Sequence, residues 1–178
     1  MPDGDREWLE ELWIAHGGRV WAYVARRVGR QLADDVVADV FLVAWRRRQL
    51  RPRKPLPWLY GVARRVLADH YRAESRRVRL VERIGHEPHL SSRVDDDVAG
   101  SMRLESALAE LTETDREALL LTAWEGLKPS EAAAVLDMTA AAYRMRLSRA
   151  RRRLTSVIAD TVSGDELDGV EEGGRHAT

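Results

Sequence analysis

Cysteine is absent from the 178 residues, which excludes disulfides, thiolate-bound zinc and thiol catalysis. Net charge is absent too, because 29 basic and 29 acidic side chains cancel. No apolar run approaches the ~20 residues that a membrane-spanning helix needs. The opening residues, Met1 to Glu7, lack the basic start and apolar core of a secretory signal, so a cytoplasmic protein is expected. The alternating pattern of a half-buried strand is missing as well, leaving helix as the regular structure. There is no glycine-rich loop to cradle phosphate groups, and the carboxylates fall mostly on caps, linker and tail. His86 and His89 stand at i, i+3 without a third ligand, so no metal and no cofactor is implied. These absences argue against an enzyme.

The charge that cancels in total is segregated along the chain. Residues 1–43 carry −3, residues 44–79 carry +10, residues 80–143 carry −8, residues 144–153 carry +6 and residues 154–178 carry −5. Two cationic segments divided by an acidic one point to two contacts with a polyanion.

The C-terminal third, Leu104 to Leu154, is the sharpest stretch. Thr114-x-x-Glu117 reads as a capping box opening a helix through Trp124, which Gly126 ends. A second helix opens at Pro129 and runs to Leu136. Asp137 to Thr139 turn the chain, and Thr139 caps a third helix. From Tyr143 to Leu154 that helix holds six arginines and no acid. Tyr143, Leu147, Ala150 and Leu154 share one face at i, i+4, i+7, i+11. A helix apolar on one side and cationic on the other, entered by a tight turn, suits a DNA groove.

Upstream, residues 5–28 bring Trp8, Leu9, Leu12, Trp13, Val20, Trp21, Val24 and Val28 to an apolar side, with Gly17-Gly18 a break point. Asp34-Asp35 then cap a helix to about Trp45 whose Val37, Val40, Phe41 and Ala44 face a core. The basic loop Arg46 to Pro57 contains three prolines, which exclude helix and hold it extended. Pro57 opens the next helix, Trp58 to about Arg77, with Leu59, Val62, Val66 and Leu67 as its apolar stripe. Arg64, Arg72 and Arg76 line up on another face; Trp58 is read as core, and Tyr60 is left open. The expected fold is all-α: two small helical domains, 1–78 and 103–160, joined by a flexible acidic linker, 79–102, and followed by a disordered acidic tail, 161–178.

Several blocks carry a family likeness. In the first domain they are Val20-Trp-Ala-Tyr-Val-Ala-Arg-Arg-Val28, Ala33-Asp-Asp-Val-Val-Ala-Asp-Val-Phe-Leu-Val-Ala-Trp45 and Pro57-Trp-Leu-Tyr-Gly-Val-Ala-Arg-Arg-Val-Leu-Ala-Asp-His-Tyr-Arg72. In the second they are Ala107-Leu-Ala-Glu-Leu111, Glu125-Gly-Leu127 and Arg146-Leu-Ser-Arg-Ala-Arg-Arg-Arg-Leu154. In this order and spacing the chain resembles the small two-domain extracytoplasmic-function (ECF) branch of the bacterial sigma-70 factors of RNA polymerase. The likeness implies a region 2 domain binding core polymerase and the minus-ten element. It also implies a region 4 helix-turn-helix domain, of winged-helix-like type, on the minus-thirty-five element. No catalysis of its own is implied. Asp35, Asp39, Leu42 and Arg46 would meet the clamp helices of the polymerase's largest subunit. Arg53, Lys54, Arg64, Arg65, Arg72 and Arg76 would serve the minus-ten element. The base-reading positions fall on Arg144, Met145, Ser148 and Arg149, while Arg146, Arg151, Arg152 and Arg153 would hold phosphates. The likeness further suggests an anti-sigma partner, and a linker whose Asp95-Asp96-Asp97 mimics nucleic-acid charge on the polymerase's RNA path.

The chain departs from the family pattern in places. Arg65 stands where Asn is frequent, Asp137 where glycine is usual, Lys128 where a capping Ser or Thr is common, and Ala140-Ala-Ala-Tyr143 where Gly-Thr-Val is common. Two readings therefore stand beside each other: a promoter-specificity factor, or a sigma-like interaction protein that binds polymerase or a regulator without promoter recognition. A stand-alone helix-turn-helix repressor would leave the first domain without a purpose.

Overall fold

Apolar residues at helical spacing, punctuated by glycine and proline, make the described residues helical almost throughout. A computed structural model describes residues 3–82, 104 and 106–168, with side chains described over 4–76, 104 and 106–159. Among the described residues there is no strand. The chain divides into two compact units, Met1–Val94 and Asp95–Thr178.

The first unit holds α1 (Asp3–Val28), α2 (Arg30–Arg46) and α3 (Pro55–Glu82), each touching the other two. Gly17-Gly18 does not break α1. Interior glycine costs a helix only about 0.5–1 kcal/mol, and here Gly17 makes room: a Cβ on it would lie 3.2 Å from the Trp13 ring. That ring meets Phe41 of α2 edge-on at 4.8 Å yet stays 51% exposed, so Trp13 rims the core rather than filling it. Gly29 alone, at φ +77°, links α1 to α2. Asp34 and Asp35 thus lie inside α2 and are not its cap, contrary to the sequence expectation. Asp34 instead accepts the Trp21 indole N–H at 2.7 Å, tying α2 back to α1.

The proline-rich loop is also more helical than its composition suggests. Arg48–Leu50 form a 3-10 turn, and α3 begins two residues early, at Pro55. Pro55 and Pro57 occupy the first turn, where an amide N–H would have no intrahelical partner anyway. The first bond of α3 runs from Trp58 N–H to the Lys54 carbonyl at 3.3 Å. Val20, Val24, Val36, Val40 and Leu59 are fully buried at the centre, each contributing roughly 1.5–3 kcal/mol. Tyr60 belongs to this core as well, its ring 4.7 Å from that of Tyr23. Trp58 and Val66 are half-buried. α3 continues to Glu82, past the expected end near Arg77.

The second unit comprises a short helical stretch at 106–109, then α4 (Glu113–Ala123), α5 (Pro129–Val135) and α6 (Ala140–Asp168). The cap of α4 is Thr112 rather than Thr114; its Oγ1 accepts the Asp115 N–H at 3.2 Å. Arg116 in the first turn of α4 donates to the carbonyls of Leu108, at 2.9 Å, and Leu111, at 3.5 Å, holding the preceding stretch in place. Helix α6 reaches Asp168, so residues 161–168 extend it where a disordered tail was expected. The linker residues 83–102, with His86, His89 and Asp95–Asp97, and the tail residues 169–178 lie outside the described residues.

Candidate nucleic-acid interface

In the second unit α5, a tight turn and α6 form a helix-turn-helix. Lysine cannot accept a bond at the start of α5, but the Glu131 carboxylate reaches back to the Lys128 backbone N–H at 3.1 Å, and Pro129 presets the first turn. At the other end of α5, Asp137 takes φ +53°. Met138 N–H reaches the Ala133 carbonyl at 3.0 Å and Asp137 N–H that of Ala134 at 3.4 Å. This is a Schellman closure with aspartate in the glycine position. Thr139 Oγ1 then accepts the Ala142 N–H at 3.1 Å and starts α6 as expected.

The apolar face of α6 fits the expectation: Tyr143, Leu147 and Ala150 are buried and Leu154 is half-buried. Tyr143 fills its slot completely. Its hydroxyl donates to the Ala118 carbonyl at 2.7 Å and lies 2.6 Å from Thr122 Oγ1, both on α4. Burial raises its phenol pKa, partly opposed by the Thr122 hydroxyl. On the other side Arg144, Met145, Ser148 and Arg149 are exposed together, Met145 at 66%. Their i, i+1, i+4, i+5 spacing places them on one face. Arg151, Arg152 and Arg153 are exposed as well. Arg146 is different. Its guanidinium turns inward to Asp115 of α4 at 2.8 Å and is one-third exposed.

In the first unit, Arg53, Lys54, Arg65, Arg72 and Arg76 are exposed and Arg64 is half-buried. Arg72 pairs with Asp69 on its own helix. Tyr71, missed by the sequence reading, lines a shallow open groove with Arg72, Ser75 and Arg76. Its hydroxyl donates to the Arg27 carbonyl at 2.6 Å, fixing the ring beside the cations. Its i, i+1, i+4, i+5 relation to the other three was the available signal. Two other arginines of the basic segment, the half-buried Arg48 and the exposed Arg51, pair with Asp5, at 2.8 and 3.0 Å. Their hydrogen bonds, Arg48 foremost, hold the Asp5 carboxyl below its usual range against the opposing effect of burial. On α2, Asp35, Asp39, Leu42 and Arg46 are all exposed at i, i+4, i+7, i+11, one stripe opposite the buried valines. Among the described residues, no three His, Asp or Glu side chains gather as a metal site.

The arrangement offers two exposed cationic surfaces, one per unit, and an exposed acidic–apolar stripe on α2. A sequence model of Sigma-70 region 2 matches residues 12–77, and one of Sigma-70, region 4 matches residues 101–154. The chain is 34% identical over 163 residues to the RNA polymerase sigma factor CnrH of Cupriavidus metallidurans, spanning 82% of this chain and 84% of that one. It is 34% identical over 171 residues to the ECF RNA polymerase sigma factor SigC of Mycobacterium tuberculosis, spanning 93% and 89%. The solved structure of CnrH in complex with the cytosolic domain of CnrY matches with a TM-score of 0.61 and 28% identity, over 89% of this chain and 92% of that one. The sigma factor RpoE, in complex with the anti-sigma factor NepR from Bartonella quintana, shares the fold at a TM-score of 0.62 and 23% identity, over 89% and 98%.

Proposed function

Because the chain belongs to the ECF branch of the sigma-70 family of RNA polymerase sigma factors, we propose that its first unit serves the minus-ten element and its second reads the minus-thirty-five element. The chain is a sigma factor: it joins core RNA polymerase and directs promoter-specific initiation. The polymerase makes the phosphodiester bonds, and the factor contributes recognition and strand capture without chemistry of its own. The observation that carries the residue assignment is the exposed row Arg144, Met145, Ser148 and Arg149 on a helix whose opposite face is locked into α4. Arginine donates two bonds to guanine O6 and N7, discriminating by about 1–3 kcal/mol per pair. Arg151, Arg152 and Arg153 are assigned to phosphates, which fix register. Arg146 contributes less than its neighbours, because Asp115 already engages it.

In the first unit Arg53, Lys54, Arg64, Arg65, Arg72 and Arg76 are assigned to the minus-ten strands, with Tyr71 beside the last two. The stripe Asp35, Asp39, Leu42 and Arg46 is assigned to the largest-subunit clamp helices of the polymerase. CnrH and RpoE were solved with CnrY and NepR, and a protein of the anti-sigma kind is proposed as a further partner here. No helix among the described residues is long and apolar enough to cross a membrane, and the proposed site of action is the cytoplasm. The geometry gives the interaction-only alternative no support, since the departures at Lys128, Asp137 and Tyr143 are each absorbed by a bond or a backbone conformation.

The test is transcription in vitro with core polymerase and a fragmented genomic template, mapping the start sites. Discrete starts sharing two upstream motifs are expected. Replacing Arg144 and Arg149 together with alanine should remove those starts while polymerase binding, measured by co-elution, is retained. Loss of both properties at once, or of neither, overturns the assignment.

A further inference from the structure

The cationic loop between α2 and α3 is anchored by the first turn of α1. Asp5 is only 8% exposed. One of its carboxylate oxygens accepts Arg48 Nε at 2.8 Å and the other Arg51 Nη2 at 3.0 Å. Arg51 Nη2 also donates to the Gly4 carbonyl at 3.0 Å. The Arg48 guanidinium lies 4.5 Å over the Trp45 ring and donates to the Trp45 carbonyl at 3.2 Å; that of Arg51 lies 5.4 Å over Trp8. Arg51 has φ +36°, a left-handed conformation that an arginine seldom takes. Such a backbone persists where its surroundings over-determine it, and the converging bonds here do so. The loop residues Arg53 and Lys54 therefore run between two fixed points, the clamped Arg51 and the first turn of α3 at Pro55.

We propose that Asp5 is a positioning residue for promoter opening: through Arg48 and Arg51 it fixes the path of the loop that presents Arg53 and Lys54 to the minus-ten strand. The inference rests on the reading that this loop meets the minus-ten element. It differs from the alternative role for a carboxylate facing arginines, that of a competitor which DNA phosphate must displace. The geometry favours positioning, because Arg48 and Arg51 are held over tryptophan rings as well as by the carboxylate. Those rings keep both guanidiniums engaged when Asp5 is neutralised, so its loss would loosen the path of the loop rather than free two cations for DNA. The two roles predict opposite signs.

The full chain, assembled with core polymerase, is compared as wild type, Asp5→Asn and Asp5→Glu. The probe is a single-stranded oligonucleotide covering the minus-ten element of a promoter mapped by start-site sequencing, with fluorescence anisotropy as the readout. Duplex minus-thirty-five binding and the melting temperature of the free protein are measured alongside. Asp5→Asn should weaken the minus-ten oligonucleotide by about 3- to 30-fold, the range expected for coupling through a neighbouring residue. It should also flatten the preference among minus-ten bases and leave the minus-thirty-five duplex unchanged. Asp5→Glu, which keeps the charge, should recover most of the loss. Unchanged or tighter binding by Asp5→Asn overturns the proposal, and so does an equal fall at both elements with early melting, which would mark a folding role only. Arg53→Gln with Lys54→Gln separates the premise: if that pair leaves oligonucleotide binding intact, the loop does not meet the minus-ten strand at all.

Discussion

Tyr143 joins the recognition helix to the helix beneath it by hydrogen bonds as well as by packing, through Ala118 and Thr122. One turn further on, Arg146 reaches Asp115, so α6 carries a short polar seam along α4. A partly buried polar seam favours one register of two packed helices, since slippage would strand its donors and acceptors. Tyr143→Phe should destabilise the second unit by about 1–2 kcal/mol, the cost of leaving a buried acceptor unmet, which in a domain of this size lowers its melting temperature by roughly 5–15 °C. The phenol adds a pH signature. Its folded pKa is raised by burial, so its contribution is complete below the unfolded value of about 10 and fades as pH climbs through the raised folded value. Wild-type stability in the second unit, followed by thermal melts between about pH 8 and 11, should therefore fall on the alkaline side more steeply than that of Tyr143→Phe.

Among the elements, glycine has opposite meanings in α1 and at the end of α4. Gly18 lies inside α1 and Gly126 follows α4, and a Cβ on either would meet no atom within 4 Å. Space is equal, so backbone conformation decides. Gly18 is helical, and Gly18→Ala should stabilise the first unit by about 0.5–1 kcal/mol. Gly126 sits at φ +65°, and Gly126→Ala should destabilise the second unit by about 1 kcal/mol. Urea melts of the two variants with unchanged slopes check both signs. The turn after α4 was legible in the sequence because glycine after a helical stripe has few other uses. The true start of α2 was not. Asp34-Asp35 made a plausible cap, and only the left-handed Gly29 shows that the chain turns five residues earlier. The prolines of the basic loop misled for a related reason, since proline forbids a helix interior but suits its first turn.

For the whole molecule, the zero net charge hides the property that governs DNA binding. Counterions are displaced locally, where arginines meet phosphates, so affinity should follow the exposed cations of α6 rather than the total. Replacing Arg152, exposed on the phosphate side, with glutamine should weaken binding of the holoenzyme to all minus-thirty-five sequences alike. It should also reduce the slope of log affinity against log salt by about 0.9. Titrations at several salt concentrations on cognate and scrambled elements test this; a sequence-selective loss would move Arg152 into the base-reading set.

Periodicity and charge segregation in the sequence determined the all-helical class, the existence of the main helices and the apolar face Tyr143, Leu147 and Ala150 of the arginine-rich helix, while the family resemblance singles out Arg144, Met145, Ser148 and Arg149. The first three follow from spacing along a single helix, which a linear chain records. Tertiary structure alone decided which cations are committed elsewhere. Arg146 and Arg151 look alike in the sequence, yet one pairs with Asp115, 31 residues away, while the other is exposed. Arg48 and Arg51 looked as available as Arg53 until Asp5, more than 40 residues upstream, was brought against them. An ion pair between distant residues depends on how helices pack, and packing is a relation between elements that spacing along one of them does not contain.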